Sequence, residues 1–172
     1  MPTVISLIPD RESQDRLGRY ARSLVCVEPK NSFHTTVFYA EETPIFPNVK
    51  IFLEYFREVP IILNPDSYSL DVFENNVVLR YDSQAVVDIN SSLRSEAMRQ
   101  MVYDWPNLRG KEKRILELST KARRTGKIYP NFNPHISLAR KGSGKKLEGL
   151  EKFVWPIVLE QVRWKMSYAP AS

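Results

Sequence analysis

The chain contains two histidines, and both stand in the same short pattern: His34-Thr35-Thr36-Val37 and His135-Ile136-Ser137-Leu138. Each is a histidine, one further residue, then a hydroxyl side chain, inside an apolar run that reads as a strand. Strand side chains alternate, so His34 and Thr36 share one face while Thr35 and Val37 share the other, and His135 pairs with Ser137 in the same way. Alternate strand residues lie roughly 6.6 Å apart, so an imidazole and a hydroxyl both reach one phosphate-sized group. A fold for this chain has to present that pattern twice, on equivalent strands of two similar halves.

The rest of the sequence can supply two such halves. Thr3–Ile8 reads as a first strand, ended by Pro9-Asp10. From Asp10 to Leu24 the pattern is helical, with Leu17, Tyr20, Ala21 and Leu24 on one face. Glu28–Ser32 reads as a loop before a strand over Phe33–Tyr39, and Glu41–Pro47 as irregular. Asn48–Glu58 is a predicted helix with Val49, Phe52, Leu53 and Phe56 on one side. Strands are expected at Tyr68–Phe73 and Val77–Tyr81, joined by a hairpin turn at Glu74-Asn75-Asn76. Helices follow at Val86–Tyr103, broken by Trp105-Pro106, and at 111–124. Asn131-Phe132-Asn133-Pro134 forces an extended approach to a strand over His135–Ala139. Lys141–Gly144 reads as a loop, Leu147–Phe153 as a short helix and Ile157–Met166 as the last strand. Strand–helix–strand followed by strand–helices–strand predicts one α+β domain over residues 1–172, built from two lobes.

Composition narrows the chemistry. Twenty-five Lys and Arg against 20 Asp and Glu leave a formal charge of +5, a balance that suits an anionic ligand. Much of the excess falls between Lys111 and Lys127, where a solvated helix face is the simpler reading. With two histidines and one cysteine, a structural zinc site is not expected. Cys26 cannot form an internal disulfide and reads as a small buried hydrophobe, which fits a reducing compartment. Met1-Pro2-Thr3-Val4 has no basic stretch ahead of an apolar one, and no apolar run approaches a membrane span. A cytoplasmic protein with no membrane association and no obligatory protein partner is expected.

Two imidazoles flanking one phosphate can divide acid and base work. Breaking a phosphodiester by proton transfer needs a base for the nucleophile and an acid for the departing oxygen, and imidazole, with a pKa of about 6.5, serves as either. The hydroxyls of Thr36 and Ser137 can bond the non-bridging oxygens, where charge builds in the transition state. His34, Thr36, His135 and Ser137 are therefore the candidate catalytic set, with no metal and no cofactor.

These two motifs, with Asn133-Pro134 ahead of the second and Ala139-Arg140 after it, resemble the paired signature of the 2H phosphoesterase superfamily. The resemblance implies a bilobal, pseudo-symmetric α+β fold in which antiparallel sheets line a central cleft and helices lie outside. It also implies metal-independent action on cyclic phosphates, RNA ends or 2′–5′ linkages. Among branches, the run Phe33–Tyr39 is most similar to compact phage nucleases that cleave the cyclic di- and trinucleotide signals of CBASS defence. The alternatives are an RNA 2′,3′-cyclic phosphodiesterase or 2′–5′ RNA ligase-like enzyme, and a catalytically silent nucleotide-binding module.

Further substrate contacts are expected outside the motifs. Arg140 and Lys141 can reach a substrate phosphate, and Tyr39 is a candidate contact against the commoner reading of a packing aromatic. On the last strand, Val158, Glu160, Val162 and Trp164 are expected to share a face. Glu160 accepting from a base amino group and Trp164 stacking on the ring would then make a nucleobase pocket. The competing reading places Glu160 on an exposed edge and Trp164 in the core.

Overall fold

The computed structural model of the protein describes residues 3–24, 27–40, 45–100, 132–141 and 150–166. The helix expected at 111–124, the break at Trp105-Pro106, Cys26 and the loop over 142–144 lie outside those residues.

The first strand, β1 (Thr3–Pro9), leads into α1 (Arg11–Ser23). The helix starts where the sequence offers a cap: the Asp10 carboxylate accepts from the Ser13 amide at 2.8 Å, satisfying a donor the first turn would otherwise orphan. Leu17, Tyr20, Ala21 and Leu24 are buried as the periodicity predicts. Two strands follow, β2 (Val27–Pro29) and β3 (Thr35–Ala40). Asn48 caps α2 (Val49–Tyr55) through the Ile51 amide at 2.9 Å. After β4 (Ile61–Leu63), a single 3₁₀ turn at Pro65–Ser67 precedes the hairpin of β5 (Ser69–Phe73) and β6 (Asn76–Arg80). The hairpin turns at Glu74 and Asn75, both at positive φ, the geometry that suits the right-handed strand twist. Ser83 caps α3 (Gln84–Arg99), and β7 (His135–Lys141) and β8 (Ile157–Met166) complete the order. Among the described residues, no helix is long and apolar enough to cross a membrane.

Two four-stranded antiparallel sheets result, in the orders β3-β1-β8-β4 and β2-β7-β6-β5. Each sheet borrows from the other half of the chain. The C-terminal β8 runs beside β1, and the N-terminal β2 runs beside β7. The lobes are therefore laced together rather than folded one after the other. Ile5, Leu7, Val37, Leu79, Ile136, Leu138 and Leu159 are all but fully buried in one core with Leu17 and Leu93, each such side chain contributing roughly 1.5–3 kcal/mol through burial.

Several expectations are corrected. Glu28 and Pro29, expected to open a loop, belong instead to the strand Val27–Pro29, because β7 supplies its partner: Val27 faces Lys141 and Pro29 faces Ala139. Lys141 thus ends a strand rather than opening a loop. The described part of the segment expected to be helical near 147–153 has no helix. On α2 the buried positions are Ile51 and the capping Phe56, whereas Val49 and Leu53 are 75% and 71% exposed. The helix is rotated from the expected face because Phe52 and Phe56 turn toward Trp164 of β8.

Candidate active site

The two motif strands share an irregularity. On β3, Thr36 faces Ser6 and Phe38 faces Ile5, so Val37 has no partner on β1. On β7, Ser137 faces Val78 and Ala139 faces Val77, so Leu138 has none on β6. A bulge at the fourth residue of each motif advances the alternation by one. The sign of it is two successive buried residues, Val37-Phe38 and Leu138-Ala139. Tyr39 and Arg140, which strict alternation turns away, rejoin the faces of Thr36 and Ser137. Both bulged carbonyls have partners: the Asn90 amide of α3 donates to Val37 O at 2.7 Å, and the Lys30 backbone donates to Leu138 O at 2.9 Å.

A buried hydroxyl joins the motifs. Thr35 donates to the His135 carbonyl at 2.8 Å and accepts from the Tyr81 hydroxyl at 3.0 Å. Thr35 and Tyr81 are both buried, and burial raises the Tyr81 pKa and keeps its phenol protonated. Two residues earlier, the Gln14 side chain of α1 grips the Phe33 backbone from both sides. It donates to Phe33 O at 2.7 Å and accepts from Phe33 N at 3.0 Å. His34 is thus fixed between two anchored neighbours, just before β3 begins.

The histidines sit in different surroundings. His135 is half-buried, its ring centroid 5.1 Å from that of Phe73. Its Nδ1 lies 2.9 Å from the Asn133 carbonyl. A carbonyl only accepts, so Nδ1 carries the proton and Nε2 is left to exchange one with a substrate. Opposite His135 on β6 is Arg80, whose Nε donates to Asp71 at 2.7 Å. The Val72 amide and the Arg80 guanidinium hold the Asp71 carboxyl below its usual range.

His34 is exposed to solvent along part of its surface, yet neighbours crowd the ring. Lost hydration of the imidazolium lowers its pKa first, followed by the positive charges of Lys30, Arg163 and Lys165 and by His135 itself. The neutral ring, able to accept a proton, is the favoured form.

Around these residues the surface is concave. A cleft of about 590 Å³ is lined by Thr36, Tyr39, Phe73, Arg80, Arg94 and His135, among others. A smaller depression of about 90 Å³ adjoins it, formed by Val4, Ser6, His34, Arg163 and Lys165. Val4 lines both. Among the described residues, no group of three His, Cys, Asp or Glu side chains could hold a metal ion.

The structure brings together most, but not all, of the residues singled out in the sequence. His34, Thr36, Tyr39 and His135 line the two adjoining hollows. Ser137 and Arg140 share the His135 face by register. Lys141 is paired with Val27 at the strand end. The nucleobase pocket of Glu160 and Trp164 is not formed. On β8, Gln161 faces Ile8 and Leu159 faces Pro9, so Glu160 is itself a bulge and breaks the alternation assumed for that strand. Glu160 is exposed, whereas Trp164 packs its ring 5.4 Å from Phe52 on the core side. Gln14, Thr35, Tyr81 and Asn90 were not singled out in the sequence, because buried polar side chains have no periodic signature. Arg163 and Lys165 did leave one: two cations at alternate positions of a strand, bracketing an aromatic.

Two antiparallel sheets with helices, and a cleft lined by a residue from each motif, constitute a LigT-like α+β phosphoesterase fold. The chain is similar to E. coli LigT in complex with NADP+, with a TM-score of 0.57 and 15% identity over 100% of this chain and 92% of LigT. For LigT complexed with 3′-AMP the TM-score is 0.55 at 14% identity, covering 98% of this chain and 88% of that one. A further crystal structure, of a phosphoesterase, matches with a TM-score of 0.56 and 13% identity over 95% of this chain and 86% of its own. No family model matches the sequence, and no curated protein matches it.

Proposed function

We propose that the protein is a phosphodiesterase of the 2H type that cleaves cyclic di- or trinucleotides, with His34 and His135 as its acid–base pair. The observation that carries this reading is the Thr35 hydroxyl on the His135 carbonyl, which fixes one motif strand against the other with both histidines at adjoining hollows. Thr36 and Ser137 hold the non-bridging oxygens, and Tyr39 and Arg140, brought round by the bulges, contact the flanking nucleotide.

In a 3′–5′ linkage, the 2′-hydroxyl adjacent to the phosphate is the nucleophile. Neutral His34 removes its proton as the 2′-oxygen bonds to phosphorus. The P–O5′ bond breaks, and the departing oxygen takes the Nε2 proton of a His135 that starts as the imidazolium and keeps its Nδ1 proton on the Asn133 carbonyl. The product carries a 2′,3′-cyclic phosphate. Water then opens that ring with the roles exchanged: His135 takes a proton from water, and His34 returns one to the ribose oxygen.

A second reading, cleavage of 2′,3′-cyclic phosphate ends of RNA, is favoured by the likeness in fold to a protein crystallised with 3′-AMP. It uses only the second half of the same chemistry. Incubation with a panel of cyclic oligonucleotides, RNA 2′,3′-cyclic phosphates and 2′-deoxy analogues, followed by chromatography, separates the two. Turnover of the cyclic oligonucleotides, insensitive to chelator and abolished by removing the 2′-hydroxyl, is expected. Cleavage of RNA ends alone favours the second reading, and binding without turnover across the panel makes the protein a silent module.

A further inference from the structure

Two cations of β8, Arg163 and Lys165, stand beside the histidine hollow. Arg80 is paired with Asp71 and Arg99 with Glu96, but among the described residues neither Arg163 nor Lys165 takes part in an ion pair. They lie on the same face of one strand, roughly 6.6 Å apart by strand geometry, where like charges repel. Their neighbours Val162 and Trp164 turn the other way and pack against the core. Arg163 faces Ser6 across the ladder, Lys165 faces Val4, and both cations line the hollow that contains His34. Two cations with no carboxylate partner among the described residues thus stand beside a histidine and a strand hydroxyl in a concavity.

The order of strands says which anion fits. Across the floor run β7 with His135, then β3 with Thr36, then β1 with Ser6, then β8 with the cations. A phosphate between the two histidines sits over β3 and β7. β8 is two strand spacings beyond β3, roughly 9–10 Å, on the side away from His135. The volume of the hollow, about 90 Å³, equals that of about three waters, room for one tetrahedral oxyanion.

We infer that Arg163 and Lys165, together with the Ser6 hydroxyl, form a second anion subsite. It takes a phosphate adjoining the scissile one, so that the preferred substrate is a nucleotide chain, linear or cyclic, rather than a mononucleotide. The inference rests on the proposed function for its location of the scissile phosphate, but its test does not require turnover. Arg supplies paired donors to phosphate oxygens and Lys a compact charge, and a field of this kind weakens as salt rises.

The test is equilibrium binding of two 2′-deoxy dinucleotides, one with phosphates at both ends and one with hydroxyl ends. Each is titrated into the wild-type chain and into the variant Arg163→Gln, Lys165→Gln, whose substitutions are on the exposed surface. Terminal phosphates are expected to tighten wild-type binding by about tenfold or more, and the double variant to lose most of that gain. Raised salt should shrink the wild-type gain more than the variant's. Equal weakening of both ligands in the variant overturns the inference, since the cations would then act only as a general field or on the central phosphate. Absence of any preference for terminal phosphates in the wild type, or no binding of either ligand, overturns it as well. A phosphate-dependent gain that the variant loses, in a protein that cleaves nothing, sustains the subsite and removes the proposed catalysis.

Discussion

The two motif strands carry the same residue pattern and the same bulge, yet they place their histidines in different surroundings. His135 has one ring nitrogen committed to the Asn133 carbonyl, an aromatic ring beside it and an arginine opposite that already has a carboxylate partner. His34 makes no hydrogen bond among the described residues and feels the charges of Lys30, Arg163 and Lys165. Pseudo-symmetry of backbone thus coexists with asymmetry of charge, which comes from the strands beside each motif rather than from the motifs. Under the proposed function, that asymmetry is what lets one repeated pattern supply both a base and an acid.

The largest effects should come from the histidines. His34→Ala and His135→Ala are each expected to lower the rate on a cleavable nucleotide by about a hundredfold or more, with folding intact by circular dichroism. Because the two act as a unit, the double variant should be little worse than either single one. Effects that multiply, or a folded double variant with full activity, would break the division of labour between the strands.

Next comes the hydroxyl that couples the strands. Thr35→Val leaves the Tyr81 hydroxyl and the His135 carbonyl without their shared partner, at a cost of about 1–3 kcal/mol in stability. If the bond also positions the second histidine, kcat should fall about tenfold with little change in KM. Thr35→Ser, which keeps the hydroxyl, should restore both. A valine variant that is less stable but retains full kcat would reduce Thr35 to a structural role.

The smallest effect is expected at Trp164. Its indole Nε1 is buried without a hydrogen-bond partner among the described residues, and its ring packs on Phe52 and Phe56. Trp164→Phe should leave nucleotide cleavage within about twofold, because no polar bond is lost and most of the packing is kept. A large rise in KM would instead return this side chain to the substrate.

Some of this was legible in the chain because it rests on repetition and period. The repeated motif marked the two strands, alternation assigned His34 with Thr36, and the helical period marked the buried face of α1. The rest depends on partners distant in sequence. Val27–Pro29 and Ile61–Leu63 are three-residue strands, too short for a pattern, and exist because β7 and β8 offer them edges. The bulges at Val37, Leu138 and Glu160 are invisible to an alternation rule, which assumes an unbroken ladder. Hence alternation alone puts Glu160 on the face of Trp164, which the bulge denies it, and does not mark Arg163 and Lys165, which line the hollow with His34. Alternation turns Thr35 away from the site, and from there its hydroxyl holds the two strands together.

Since the chain has only two histidines, the asymmetry can be read directly by NMR titration of their ring protons, each assigned by its loss in the corresponding alanine variant. The His34 resonance is predicted to titrate below the ordinary histidine value of 6.5, and to move back toward it in the variant Arg163→Gln, Lys165→Gln. The acid limb of the pH–rate profile should move the same way, to higher pH, since a base with a raised pKa stays protonated over a wider range. A His34 that titrates at or above 6.5, or that is indifferent to the two cations, would contradict the account.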